Sequence, residues 1–191
     1  MYVHHQLRKI FNLAFSPRYL LTTNTVVGTL GLVGADVIQQ YASHYVYPKP
    51  VEKTKEMEPQ AFVFDNKRAF GMAAGGLIFG AAGHYWYLFL DRKFPGRSLT
   101  VISKKLLCEA LIAPPLLTVF YYLVARTEGK SNEEWFEGFK KNIVDIMLVD
   151  WCCFAPAQAL NFYFLPPKYR YLFVAVLTFF YDNFLSFVFH R

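Results

Sequence analysis

Charge is what this chain has little of. Asp, Glu, Lys and Arg make up 18% of its 191 residues, against about a quarter in an ordinary soluble domain. No acid precedes Asp36, and Ala69–Leu90 contains no charged residue other than a histidine. Cysteine is scarce too. Cys108, Cys152 and Cys153 are odd in number, two are adjacent, and all lie in apolar stretches, so they form no disulfide framework. No CxxC or His/Cys spacing suits zinc, and no N-x-Ser/Thr sequon supports a secretory route. HExxH, P-loop and G-x-S-x-G patterns are missing. The five histidines are scattered, so no enzymatic activity, metal or cofactor is expected.

What is present is apolar and aromatic: 54% of the residues are hydrophobic, and Phe, Trp and Tyr make up 19% of the chain. The net charge of +6 would suit nucleic acid, but Lys and Arg cluster in short stretches between greasy segments. Membrane flanks explain that distribution more simply, while leaving contact with anionic lipid or RNA open; no DNA partner is expected.

Five apolar stretches follow: Tyr19–Tyr41, Ala69–Leu90, Leu106–Ala125, Ile143–Leu165 and Tyr171–Phe189. Each approaches or reaches the ~20 residues that cross a bilayer as a helix. The connections, rich in Pro, Gly and mixed charge, read as loops, and the tight "PPKYR" predicts a hairpin between the last two stretches. The expectation is an all-α integral membrane bundle of four to five transmembrane helices forming one domain, 19–191, with a flexible loop at 48–65. Orientation stays undecided, because the twenty Lys and Arg divide equally between the two sides.

Ahead of the bundle, residues 1–18 form a basic segment. Leu7, Ile10, Phe11, Ala14 and Phe15 share one helical face, with Arg8, Lys9 and Asn12 elsewhere. An amphipathic, basic, acid-free start resembles mitochondrial targeting segments; it equally suits a helix lying in the membrane interface.

Gly71-x-x-x-Gly75 and Gly76-x-x-x-Gly80 are small-residue ladders that let helix backbones approach. Gly28, Gly31 and Gly34 precede Asp36, but their spacing is wrong for a dinucleotide loop, and helix packing is the better reading.

The remaining signal is polar residues in apolar surroundings: Asp36, Glu109, Asp145, Asp150 and Asp182. An acid at the centre of a membrane helix costs about 2.5–3.5 kcal/mol on insertion scales, so such groups turn inward, pair, or line water. Asp150, Gln158 and Asn161 fall on one side of a helix, with Pro156 expected to kink it. Asp182 and Ser186 stand one turn apart. Asp36, Glu109, Asp150, Gln158, Asn161, Asp182 and Ser186 are therefore candidates for a buried interhelical network or for the lining of an aqueous path. Arg170, His84, Arg126 and Lys104–Lys105 are possible partners.

"HYWYLFLDRKFPG" (84–96), "DWCCFAPAQALNFYFLPPKYR" (150–170) and "YDNFLS" (181–186), with the opening "LLTTNTVVGTLGLVGADVIQQ" (20–40), resemble the Mpv-17/peroxisomal-membrane-protein family. Trp86, Asp91, Pro95, Trp151, Phe162 and Arg170 carry family motif positions, as do Asp150, Gln158 and Asn161. Phe154 replaces the family's second Trp, Ala155 stands where its proline is expected, and Cys108-Glu109 replace an Asp-Gln pair. Asp150, the aromatic "HYWYLFLDR" and Asp182 look most similar to the Mpv-17-like protein two branch. That resemblance implies a multi-pass protein of the mitochondrial inner membrane, with the peroxisomal membrane as the alternative. It further implies support of mitochondrial ribosome assembly and translation, with the lipid bilayer and the ribosome or its assembly intermediates as partners and a homo-oligomer left open. Other family members imply a solute channel, or upkeep of metabolite or nucleotide pools.

Overall fold

The computed structural model describes residues 2–46, 61–127, 129 and 131–189. Most of the loop expected to be flexible, up to residue 60, lies outside them. Among the described residues all regular structure is helical, with no strand: α1 (Tyr2–Ala14), α2 (Leu20–Tyr45), α3 (Asn66–Lys93), α4 (Leu99–Thr127), α5 (Asn132–Phe164) and α6 (Pro167–Phe189).

Several helix boundaries have a local cause. Asp65 caps α3 by accepting from the Arg68 amide at 3.0 Å. Ser131 and Glu134 form a reciprocal capping box on α5, at 3.2 and 2.7 Å. Between α3 and α4, "FPG" breaks the helix, and Gly96 takes φ 103°, a backbone state that side chains disfavour. The α5–α6 turn needs only Leu165 and Pro166. Pro114, Pro115 and Pro156 lie inside helices; each lacks an amide hydrogen, so one carbonyl a turn earlier loses its helical donor.

α2 and α3 make the most intimate pair, because glycine removes the side chains between them. A Cβ at Gly80 would meet the Thr25 backbone at 2.7 Å, and one at Gly76 would strike the backbone of Thr29. Gly75 is buried beside them and Gly71 is half-buried. The second face of α2 receives α6: Tyr171 fills the hollows over Gly28 and Gly83, while Gly31 and Gly34 approach Ala175 and Phe179. These glycines serve helix packing.

α5 departs from the simple hairpin. It packs mainly on α4, whereas α6 packs mainly on α2 and α3, so the two arms diverge beyond their short turn. Two helix groups result, α2–α3–α6 and α4–α5, joined by α3 against α4. At the joint sits a small core of Tyr87, Leu90, Ile102 and Phe162.

The distribution of polarity is inverted relative to a soluble protein. Asn24, Asp36, Gln40, His84, Lys105, Gln158, Asn161 and Arg170 are buried, while Leu30, Phe70, Leu107, Leu111 (68% exposed), Leu160 and Phe180 face outward. Cys152 and Cys153 are also exposed, on the outside of α5 and not in its packing. By length and composition, one described helix, Leu20–Tyr45, is apolar enough to cross a membrane. α1 docks by its end: Phe11 and Phe15 meet Tyr169, and the Thr23 hydroxyl donates to the Ala14 carbonyl at 2.6 Å. Leu7, Ile10 and Leu13 stay exposed.

Candidate functional site

Three polar centres occupy the interior, each stitched from different helices. The first joins the far ends of α2 and α3. Asp36 pairs with the Arg68 guanidinium at 2.6 Å and accepts from Gln40, one turn on, at 2.8 Å. Gln40 in turn accepts from the Asp65 amide and donates to the Asp65 carbonyl. Its side-chain amide thus behaves as a peptide group, fastening the returning chain to α2. Asp36 belongs to this clamp and not to the cavity described below.

The second centre lies at the opposite end, around Asp91. Arg170 of α6 and Lys105 of α4 both reach the same carboxylate oxygen of Asp91 on α3, Lys105 at 2.6 Å. Both cations also lie over the Phe162 ring, each 5.3 Å from its centroid. The guanidinium further donates to the Leu165 and Phe162 carbonyls, at the end of α5. Asn161 donates to the Arg170 carbonyl and to Gln158, and Gln158 donates to the Tyr87 hydroxyl at 2.5 Å. One anion, two cations and three amides or hydroxyls therefore tie α3, α4, α5 and α6 at a single level. Near it, Asn24 bonds His84 between α2 and α3 at 3.1 Å.

Between the two helix groups lies the third centre, a cavity of about 500 Å³. Glu109 and Asp150 line it, together with Tyr87, Gln158 and Tyr171 and a majority of apolar and aromatic side chains. Trp86 donates its indole N–H to Glu109 at 2.9 Å. No charged partner meets either acid among the described residues.

The sequence candidates thus divide. Glu109, Asp150 and Gln158 share the cavity; Asn161 continues the same face of α5 downward into the Asp91 centre; Asp36 stands apart at the other end. The side chains of Asp145, Asp182 and Ser186 lie outside the described residues. Of the motif residues, Asp91, Phe162 and Arg170 meet in one cluster, Trp86 and Trp151 line the cavity, and Pro95 sits exposed in the α3–α4 turn. Of the proposed partners, Arg170 and Lys105 take Asp91 rather than Asp150, and His84 takes Asn24. Lys104 is exposed, and Arg126 lies 3.4 Å from Asn132, on the surface.

Sequence reasoning passed over Tyr87, Tyr171, Gly83 and Gln40. For Gln40 a signal existed, its position one helical turn after Asp36. Tyr171 and Gly83 are 88 positions apart and no local pattern links them. Among the described residues no group of three or more His, Cys, Asp or Glu could hold a metal ion.

A helical body with paired charges inside, aliphatic side chains outside and a mainly apolar cavity lined by two acids has the organisation of an integral membrane protein. The comparisons make this specific. Residues 125–186 match the Mpv17 / PMP22 family. PXMP2/4 family protein 2 of Dictyostelium discoideum is 30% identical over 168 residues, covering 87% of this chain and 80% of that protein. Mitochondrial inner membrane protein Mpv17 of Xenopus laevis is 24% identical, covering 87% and 85%. Peroxisomal membrane protein 2 of Bos taurus is 26% identical, covering 71% and 70%. The chain belongs to the Mpv17/PMP22 family of organellar membrane proteins. No solved structure matches it.

Proposed function

We propose that this chain is a multi-spanning, non-enzymatic protein of the mitochondrial inner membrane that supports assembly of the organelle's ribosome and its translation. Its relatives' names support that location, with the peroxisomal membrane as the alternative. Four or five spans are supported by the inverted polarity of α3 to α6, whose outer Leu, Val and Phe would otherwise stand in water. None of those relatives is named as an enzyme.

One observation carries the ribosome reading. At the end where α1 docks, Arg8, Lys9, Arg18, Arg92, Lys93, Arg97, Lys104 and Lys168 are all exposed. The acid at that end, Asp91, is only partly exposed and spent on Lys105 and Arg170. At the opposite end, the exposed cations Lys67, Arg126, Lys140 and Lys141 are matched by the acids Asp65, Glu133, Glu134 and Glu137. An unbalanced cationic face attracts polyanions, and ribosomal RNA at a membrane is the polyanion this reading requires.

Depleting the protein from mitochondria and sedimenting their ribosomes tests it. Subunit profiles should shift and organellar protein synthesis should fall. Restoring a variant with Arg92, Lys93, Arg97 and Lys104 changed to Ala should leave both defects in place while the protein still reaches the membrane. Unchanged profiles after depletion would refute the reading.

The cavity favours a second reading, a weakly selective solute channel that maintains metabolite or nucleotide pools. Glu109, Asp150 and Gln158 would be its polar lining. Reconstituted protein should then conduct in planar bilayers, with Asp150→Asn altering the conductance; a silent bilayer would count against it.

A further inference from the structure

Buried charge in this protein is paired almost everywhere. Asp36 has Arg68; Lys105 and Arg170 share Asp91. The cavity is the exception. Glu109 accepts one hydrogen bond from Trp86, Asp150 has no hydrogen-bond or ion-pair partner among the described residues, and no Lys, Arg or His lines the space. The buried cations lie outside the lining and are engaged elsewhere, including Lys105, which is only one turn from Glu109 along α4.

An unpaired carboxylate against apolar walls is the costly arrangement, and a countercharge from outside the chain would relieve it. The walls add a second attraction of the same sign. Trp86, Tyr87, Phe154, Tyr171 and Phe179 are among the residues that line the cavity, and the negative face of an aromatic ring attracts cations. Gly28, Gly76 and Gly83 also line the space, with the Tyr171 ring lying over Gly28 and Gly83. The volume of about 500 Å³ fits a small organic molecule, since such sites run from about 300 to 1,000 Å³.

We propose that the cavity binds an organic cation, an amine or quaternary ammonium on an apolar body, with Glu109 and Asp150 supplying the countercharge and the aromatic walls enclosing the rest. A hard metal ion fits poorly: it needs six or more oxygen ligands, and this lining is mainly hydrocarbon. An anion, a nucleotide included, would face two carboxyls and no lining cation. The proposal stands whether or not the cavity conducts, and it is independent of any ribosomal role.

Two isosteric probes test it without requiring a variant. Phenyltrimethylammonium and tert-butylbenzene have the same shape and differ in charge. Binding of each to the purified full-length chain in uncharged maltoside micelles can be followed by the fluorescence of Trp86 and Trp151, with empty micelles as the blank. The cation should bind at least about tenfold more tightly, a factor within reach of desolvated cation–aromatic contacts alone. In the double variant Glu109→Gln/Asp150→Asn the preference should fall severalfold, while binding of tert-butylbenzene persists and reports an intact cavity. Equal affinity for the two probes, binding of neither, or an undiminished preference in the double variant would each overturn the proposal. Benzoate should not bind; if it competes with the cation, the charge assignment is wrong.

Discussion

Lys105 and Glu109 stand one turn apart on the same helix, yet their surroundings treat charge in opposite ways. Around Lys105, an anion, a second cation and the Phe162 ring close a compact cluster at the meeting of four helices. Around Glu109, the helices separate and leave a space walled by rings and glycines. The contrast shows how the same chemistry, an ionisable group away from water, serves structure when its partners are supplied by the chain. It becomes a candidate site when they are not. The cause lies in the backbone: α5 follows α4, α6 follows α2 and α3, and the divergence that opens the cavity starts just beyond the cluster that pins the turn.

Substitutions can break this comparison, beginning with the most damaging. Asp91→Asn leaves Lys105 and Arg170 buried together without an anion, and removing one partner of such a group costs about 3–5 kcal/mol. The detergent-solubilised protein should unfold at markedly lower temperature, or fail to accumulate in the membrane. A variant as stable as the parent would show that the cluster does not hold the turn.

Gly80→Val comes next. Its side chain would enter the Thr25 backbone, which cannot move aside as a flexible side chain could, so a loss of about 1–3 kcal/mol is expected. Thermal unfolding measures it, and Gly138→Val, where a Cβ meets nothing within 4 Å, is the control for overpacking.

Asp36→Asn should cost less, about 1–2 kcal/mol. Arg68 keeps 27% of its side-chain exposure and a hydrogen bond to Gln39, so the cation left behind is only partly stranded. A midpoint between those of Asp91→Asn and the parent protein would confirm that exposure of the abandoned partner sets the penalty.

Asp150→Asn gives the smallest effect and the opposite sign. No cation is abandoned, and an acid leaves an apolar cavity, so stability should stay level or rise by up to about 1 kcal/mol. Destabilisation on the scale of Asp91→Asn would mean that the Asp150 carboxylate is paired inside the fold after all.

Much of this organisation was legible in the residues. Apolar stretches between Pro- and Gly-rich breaks marked α2 to α6, and the 3.6-residue period put Asp150, Gln158 and Asn161 on one face. The glycine ladder announced a close helix contact, since a Gly every fourth residue removes side chains from a single line. The pairings were another matter. Asp91 was visible only as a motif position, and its cations, Lys105 and Arg170, lie 14 and 79 residues away on other helices. Asp36 looked equivalent to Asp150 in sequence, both being lone acids in greasy runs, yet one is clamped and the other is not.

Residue order alone therefore determined which segments are helical, which faces carry polar groups, and that charge must be hidden from an apolar exterior. Those properties depend on spacing along one helix and on local capping. Tertiary structure decided which charges are matched and which remain open, because helices distant in sequence either converge, as at Asp91, or splay, as around Glu109 and Asp150.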